Sequence, residues 1–264
     1  MRHKTVTKFF IVFCVLLSCM MLAVAYMTVS SYTDYAKDTT SLHSLFVFQH
    51  AIDEESLSPE KGTPFDPRPS LQSMVEDSDT VIVGRFNGER SYGYQTFICG
   101  VKVIRSIEGD LAEGQTIQVF EPMEISQAKD IAPDLGFDDT QSASRLPDGE
   151  TQVITCAGES PYLYGKGLMR EGSTYLLFLQ RKAVPPQLAV PDGTNQYRMY
   201  GSSPYARVLL ADTTTISVVG NGGITILSFE ESAGTDQFVT SARAKEVYEE
   251  NSKRLVDRFV REIL

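Results

Sequence analysis

Few residues in this sequence can do covalent or metal chemistry, and their spacing narrows the options further. Cys99 and Cys156 are the only cysteines after residue 19. In an oxidising compartment two such thiols can form one disulfide, and in a reduced core they are simply two small apolar side chains. His43 and His50 are the only histidines beyond the extreme N-terminus. Zinc would need a third ligand beside them, for which Asp53 or Glu54 is the nearest candidate, and no HExxH is present. Asp134, Asp138, Asp139, Asp148 and Glu150 crowd one segment. Their oxygens suit extracytoplasmic calcium, although EF-hand spacing is missing and a solvated acidic loop is the default reading. No other metal site and no cofactor are expected.

Nucleophilic and nucleotide chemistry fare worse. There is no GxSxG elbow, no GxGxxG and no Walker loop. A Ser-His-Asp triad would have to borrow its histidine from the segment before the main domain. Paired carboxylates remain open, because any two acids can meet in space. Tyr162, Tyr164, Tyr197, Tyr200 and Tyr205 form a loose set suited to recognising a protein or glycan. The net charge of −10 argues against nucleic acid as a partner.

The elements that must position these groups can be read from patterning. Leu71, Met74 and Val75 mark a short helix after Ser70. Val81–Phe86, Gln95–Arg105, Thr116–Phe120, Val153–Cys156, Ser173–Gln180, Arg207–Ala211, Thr215–Val219 and Gly223–Ser228 read as strands. Gly100 marks a bulge or bend, and Asn221-Gly222 predicts a hairpin turn. Residues 124–150 read as a long acidic loop. The chain closes with an amphipathic helix over Gln237–Ile263, capped by Thr235 or Asp236. Glu249–Lys253, Glu250–Arg254 and Asp257–Arg261 are its i,i+4 ion pairs. The expected fold is mostly β (α+β): a barrel with extra hairpins over 70–232 and a C-terminal helix at 233–264. Four prolines within Ser56–Pro69 mark a linker, and 28–69 reads as stalk and linker together.

Ahead of that lies Phe9–Met27, apolar and free of charge, after Arg2, Lys4 and Lys8. As a helix it is about 28 Å long, close to the ~30 Å hydrocarbon core. The basic flank favours keeping the N-terminus in the cytoplasm and exporting the remainder of the chain. Three fates fit residues 1–27. The segment can stay as a single-pass transmembrane anchor. It can be a signal peptide cut between Ala25 and Tyr26, after Ala23-Val24-Ala25, which gives a secreted protein. Or Leu16-Leu17-Ser18-Cys19, similar to a lipobox, can make Cys19 a lipid-accepting thiol.

Ser78-Asp79-Thr80-Val81-Ile82-Val83-Gly84-Arg85, Val103-Ile104-Arg105, Gly109-Asp110-Leu111 and Glu171-Gly172-Ser173-Thr174-Tyr175-Leu176-Leu177-Phe178-Leu179 form an ordered set. The set resembles uncharacterised exported bacterial proteins with a netrin-like (TIMP-like) domain, over roughly Leu71–Gln180. The resemblance implies a five-stranded OB-fold barrel. It does not carry over protease inhibition, because the zinc-chelating N-terminal cysteine of the inhibitors has no counterpart between Cys19 and Cys99. The expected role is a membrane-tethered, extracytoplasmic binding or scaffold protein without catalytic activity. It would hold the membrane through its N-terminal helix and meet a protein or glycan outside the cell. The alternative is a cell-envelope hydrolase using paired carboxylates.

Overall fold

A computed structural model of the chain describes residues 2–31, 40–57, 71–93, 96–128, 152–156, 165–181, 196–200, 203–211, 214–219 and 224–261. They belong to two compact units, Met1–Asp38 and Thr39–Leu264.

The first unit carries helix α1, Arg2–Ser31. Its side chains at 13–27 are all exposed, and they include Phe13, Leu16, Met20, Leu22 and Tyr26. That stretch covers roughly 22 Å of helix. Among the described residues no helix is long and apolar enough to cross a membrane.

The second unit is mostly β. Its centre is a ring of five strands: β2 (Thr80–Gly93), β3 (Thr96–Glu108), β4 (Thr116–Glu121), β7 (Thr174–Arg181) and β8 (Gln196–Met199). The order runs β2-β3-β4-β8-β7, and β7 pairs again with β2 to close the circuit. All these pairings are antiparallel except β4 with β8. Strand β7 borders β2 along one edge and is shared on the other between β8 and β9 (Arg207–Leu209). Its outer face is covered as well, since Phe178 meets Phe259 edge-on at 5.4 Å. Burial on both faces is why Tyr175–Leu179 is an unbroken apolar run rather than an alternating one.

A second sheet has the order β11-β1-β6-β5, with β1 Phe46–His50, β5 Met123–Gln127, β6 Gln152–Cys156 and β11 Ile224–Ser228. A third pairs β10 (Ile216–Val218) with β12 (Gln237–Val239) in parallel. Short helices α2 (Glu54–Leu57), α3 (Leu71–Glu76) and α4 (Phe229–Gly234) fill the corners. Helix α5, Ala242–Val256, runs into a π-helical turn at Asp257–Arg261 and buries Ala244, Tyr248, Asn251 and Leu255.

Several expectations change. Of the expected 28–69 stalk and linker, residues 40–57 belong to the folded unit, and 58–69 lie outside the described residues. Leu42, Val47, Phe48, Ile52 and Leu57 are buried, and β1 sits inside a sheet, because this apolar patch has core to cover. The closing helix starts later than expected, at the N-cap Ser241, whose hydroxyl accepts from the Ala244 N–H. Gln237–Val239 is a strand instead. Asn221-Gly222 lies outside the described residues, and the strands on either side of it pair elsewhere, β10 with β12 and β11 with β1. Of the helix ion pairs, Glu250–Arg254 and Asp257–Arg261 form, but Lys253 reaches Asp257 and Glu249 pairs with Lys245. The acidic segment with Asp134, Asp138, Asp139 and Asp148 lies outside the described residues, apart from its start in β5.

Candidate functional site

The geometry of the ring begins with a bulge. Between Phe86 and Arg90 the register of β2 on β3 slips, so that Phe86 faces Val101 and Arg90 faces Cys99. The extra residues are Asn87-Gly88-Glu89, and Gly88 takes φ 93°, a conformation that favours glycine. Asn87 closes the bulge on itself: its Oδ1 accepts from the Glu89 N–H at 3.0 Å and its Nδ2 donates to Glu89 Oε2 at 2.9 Å. Gly100 lies opposite, and a Cβ there would strike the Asn87 amide. The predicted irregularity at Gly100 is therefore real, but the bulge is in the facing strand.

The bulge shapes a groove of about 670 Å³ across β2, β3 and β4, walled by Leu42, His43 and Phe229. Ser91, Thr116 and Gln118 add hydroxyls and an amide, and Glu89 adds a carboxylate. The His43 ring packs against Phe229 at 4.5 Å, and its Nδ1 lies 3.7 Å from Glu230. His43 occupies a 3-10 turn and His50 ends β1, so the two histidines lie on different elements. Burial lowers the His50 pKa, with Asp53 opposing.

Arg90 leads from this groove into the core. Its side chain is nine-tenths buried. The guanidinium carbon sits 4.9, 5.9 and 5.7 Å from the Phe86, Phe97 and Phe229 ring centres. Its Nη2 donates to Glu121 Oε2 at 3.1 Å and to the Met169 carbonyl at 2.8 Å. Glu121, at the end of β4, also accepts from Arg207 Nη1 at 2.8 Å, the Met169 N–H at 2.6 Å and the Cys99 thiol at 3.4 Å. Burial pushes the Glu121 carboxyl up, but the two guanidiniums and the Met169 N–H outweigh it, and its pKa lies below the usual carboxylate value.

Arg207 carries the network onward. Its Nη2 donates to the Gly167 carbonyl and lies 3.9 Å from Asp236 Oδ1. Asp236 Oδ2 accepts from the Tyr248 hydroxyl at 2.9 Å. Lys166 Nζ donates to the Arg207 carbonyl at 2.9 Å and to the Tyr248 hydroxyl at 2.5 Å, 4.0 Å from Asp236. Burial draws the Lys166 ammonium down to about 7, opposed by Asp236 and assisted by Arg207. With Lys166 neutral, the two guanidiniums balance the two carboxylates. The backbone approach that makes this possible needs glycine at Gly165, with φ 74°, and at Gly167, where a Cβ would collide with the Thr235 carbonyl.

The structure disperses the residues singled out by sequence. Cys99 and Cys156 are free thiols, one bonded to Glu121 and the other paired with Met123 across β5–β6. Burial raises both, Cys156 to about 12. Cys19 and Tyr26 are exposed on α1. Tyr197, Tyr200 and Tyr205 are buried and form no surface patch. Tyr162 and Tyr164 fall outside the described residues. Among the described residues no cluster of His, Cys, Asp or Glu suits a metal ion. Sequence reasoning missed Arg90, Glu121, Lys166, Arg207 and Asp236. The one local signal was Gly165-Lys166-Gly167, a charge flanked by glycines.

Fold and site together define a mixed-sheet β-ring protein with a polar groove that shares Arg90 with a buried ion network. Comparison of the chain with family models, with curated proteins and with solved structures found no match.

Proposed function

We propose that the chain is a membrane-tethered, extracytoplasmic binding protein without catalytic activity, and that the groove over β2–β4 is its binding surface. The observation that carries this reading is the groove itself, about 670 Å³ and within the range of specific ligand sites. A five-stranded ring with one parallel pairing suits an OB-like Greek-key barrel, in which the face of the second and third strands binds ligands. The netrin-like resemblance points the same way. The tether is read from sequence alone: Phe9–Met27 is an uncharged apolar run of spanning length preceded by Arg2, Lys4 and Lys8, whereas the described side chains of α1 cover only 13–27 and make no span by themselves. Among the described residues two carboxylates are buried, Glu121 held by four donors and Asp236 bonded at Oδ2 by Tyr248 with the Arg207 and Lys166 cations within 4.0 Å. Groups bound in this way hold structure together and are poor acids or bases, which supports binding over hydrolysis.

Site-directed photocrosslinking in cells tests the reading. A photoreactive residue at Thr116, in the groove, is expected to capture a defined partner or glycan. One at Glu108, an exposed position farther along β3, is expected to capture none. Equal labelling from both positions would refute the groove as the binding surface. Sequencing the N-terminus of the membrane-bound and released protein tests the tether. A chain that begins at Tyr26, or at a lipidated Cys19, would replace the anchor with one of the other two fates.

A further inference from the structure

We infer that Lys166 and Asp236 form an intramolecular amide cross-link, made by the folded chain from its own buried side chains. The backbone sets the two residues side by side before any chemistry. Lys166 forms an antiparallel bridge with Gln237. The Gly167 N–H donates to the Asp236 carbonyl at 3.1 Å, and the Phe238 N–H to the Gly165 carbonyl at 2.7 Å. Lys166 Nζ then lies 4.0 Å from Asp236 Oδ2, in side chains only 5% and 1% exposed. Well-oriented groups held together in this way react as if at an effective concentration of about 10⁵ M or more.

The surroundings prepare both partners. Burial draws the Lys166 ammonium down to about 7, so near neutral pH much of it is free amine and nucleophilic. The two N–H bonds of that amine meet the Arg207 carbonyl and the Tyr248 hydroxyl, which leaves its lone pair unused. The Tyr248 hydroxyl accepts from Lys166 Nζ and donates to Asp236 Oδ2 at 2.9 Å. One proton can therefore pass from the ammonium through the hydroxyl to the carboxylate. The ion pair becomes an amine beside a carboxylic acid, and the charge of the core is unchanged. Asp236 Oδ1 has no hydrogen-bond partner among the described residues, and Arg207 Nη2 stands 3.9 Å from it. That guanidinium faces the oxygen on which negative charge develops during attack.

The step balances without an oxidant or co-reactant. The Nζ lone pair bonds to Asp236 Cγ, and Oδ1 takes up the carbonyl electron pair. Nζ passes one proton through Tyr248 to the protonated Oδ2. The Oδ1 electron pair returns, the Cγ–Oδ2 bond breaks, and water leaves. Ammonium and carboxylate have become amide and water. A cavity of about 300 Å³ bordered by Asp236 and Tyr248 can receive the water. The 4.0 Å gap must close before the bond forms, so linking is a slow maturation and freshly made chain carries the free lysine.

The test keeps the full chain folded in lipid nanodiscs at neutral pH for several weeks. The aged chain is then unfolded, digested and mapped by mass spectrometry beside freshly made chain. A growing fraction lighter by one water is expected, together with a branched peptide that joins Lys166 to Asp236. The linked fraction should melt at a higher temperature, because the bond closes a loop in the unfolded chain as a disulfide does. Tyr248→Phe keeps the ring and removes the relay, and should slow linking tenfold or more. Lys166→Met should form no link, and the peptide map of the wild-type chain decides the matter even where a variant fails to fold. Aged wild-type chain that keeps its full mass would overturn the inference, as would a loss of water without the branched peptide. Linking at an unchanged rate in folded Tyr248→Phe would overturn the relay on which the inference is built.

Discussion

Replacing Lys166 with methionine should make the protein less sensitive to pH between 7 and 8.5. In the folded chain burial draws the ammonium from its ordinary 10.5 to about 7. The unfolded chain therefore holds its proton throughout this window, while the folded chain goes from about half deprotonated to almost fully so. Where the unfolded state binds more protons, stability rises with pH. Fully developed, the difference of about 3.5 in pKa corresponds to about 5 kcal/mol. The penalty is complete below pH 7 and relieved as pH approaches 10.5. Over pH 7 to 8.5 the gain in stability is about 1.5–2 kcal/mol. Above that window the Cys99 and Cys156 thiols oppose it, because their folded pKa values are raised and the unfolded chain ionises first. Urea unfolding of the wild-type chain and Lys166→Met, followed by tyrosine fluorescence at quarter-unit steps of pH, reads the slope directly. The wild type should gain stability across the window, and the variant should be flat to within about 0.5 kcal/mol. An unchanged slope in the variant would show that the lysine is not the titrating group, and the charge balance assigned to the network would fail with it.

Gly167→Ala places a methyl against the Thr235 and Ser232 carbonyls and should cost about 3 kcal/mol or more in the same unfolding assay. A loss below 1 kcal/mol would mean that this backbone approach is looser than described. Ser241→Ala removes the cap of α5 and should cost about 1 kcal/mol. Phe178→Ala opens a cavity beneath Phe259 and should cost about 3–5 kcal/mol, with faster hydrogen exchange in the π-helical turn. Alkylation in urea without reductant should add one group each to Cys99 and Cys156 by intact mass; no addition at either would reveal a disulfide. In native buffer at pH 7.5, Cys99 should stay unmodified, since its thiol is buried and held well above its ordinary pKa.

Four of the five ring strands were legible because β-branched and aromatic runs bounded by turn residues announce themselves locally; β8, Gln196–Met199, is short and half polar and does not read as a strand. Val81–Val83 and Tyr175–Leu179 needed no partner to be recognised. What local reasoning could not supply was pairing. Asn221-Gly222 has the chemistry of a hairpin, yet Ile216–Val218 finds its partner at Gln237–Val239, a three-residue segment too short and too polar-flanked to look like a strand. Leu42–Ile52 is apolar in sequence, but the sheet it completes is built from β11 and β6, far along the chain. The ion network was illegible for a related reason. Glu121 ends one apolar strand and Arg207 begins another, and each looks like an ordinary surface charge until the fold brings them within 2.8 Å. The glycines around Lys166 were the readable clue, since a backbone that needs glycine on both sides of a charge is being pressed against something.

Strand β1 has a mechanical consequence. It is an interior strand, hydrogen-bonded to β11 on one side and β6 on the other. A pull arriving from the N-terminal side runs along its length and loads both ladders in shear, so their bonds bear the force together. An edge strand would instead unzip one bond at a time. Stretched from that end in an optical trap, residues 39–264 should hold to a high force and then yield in a single rip.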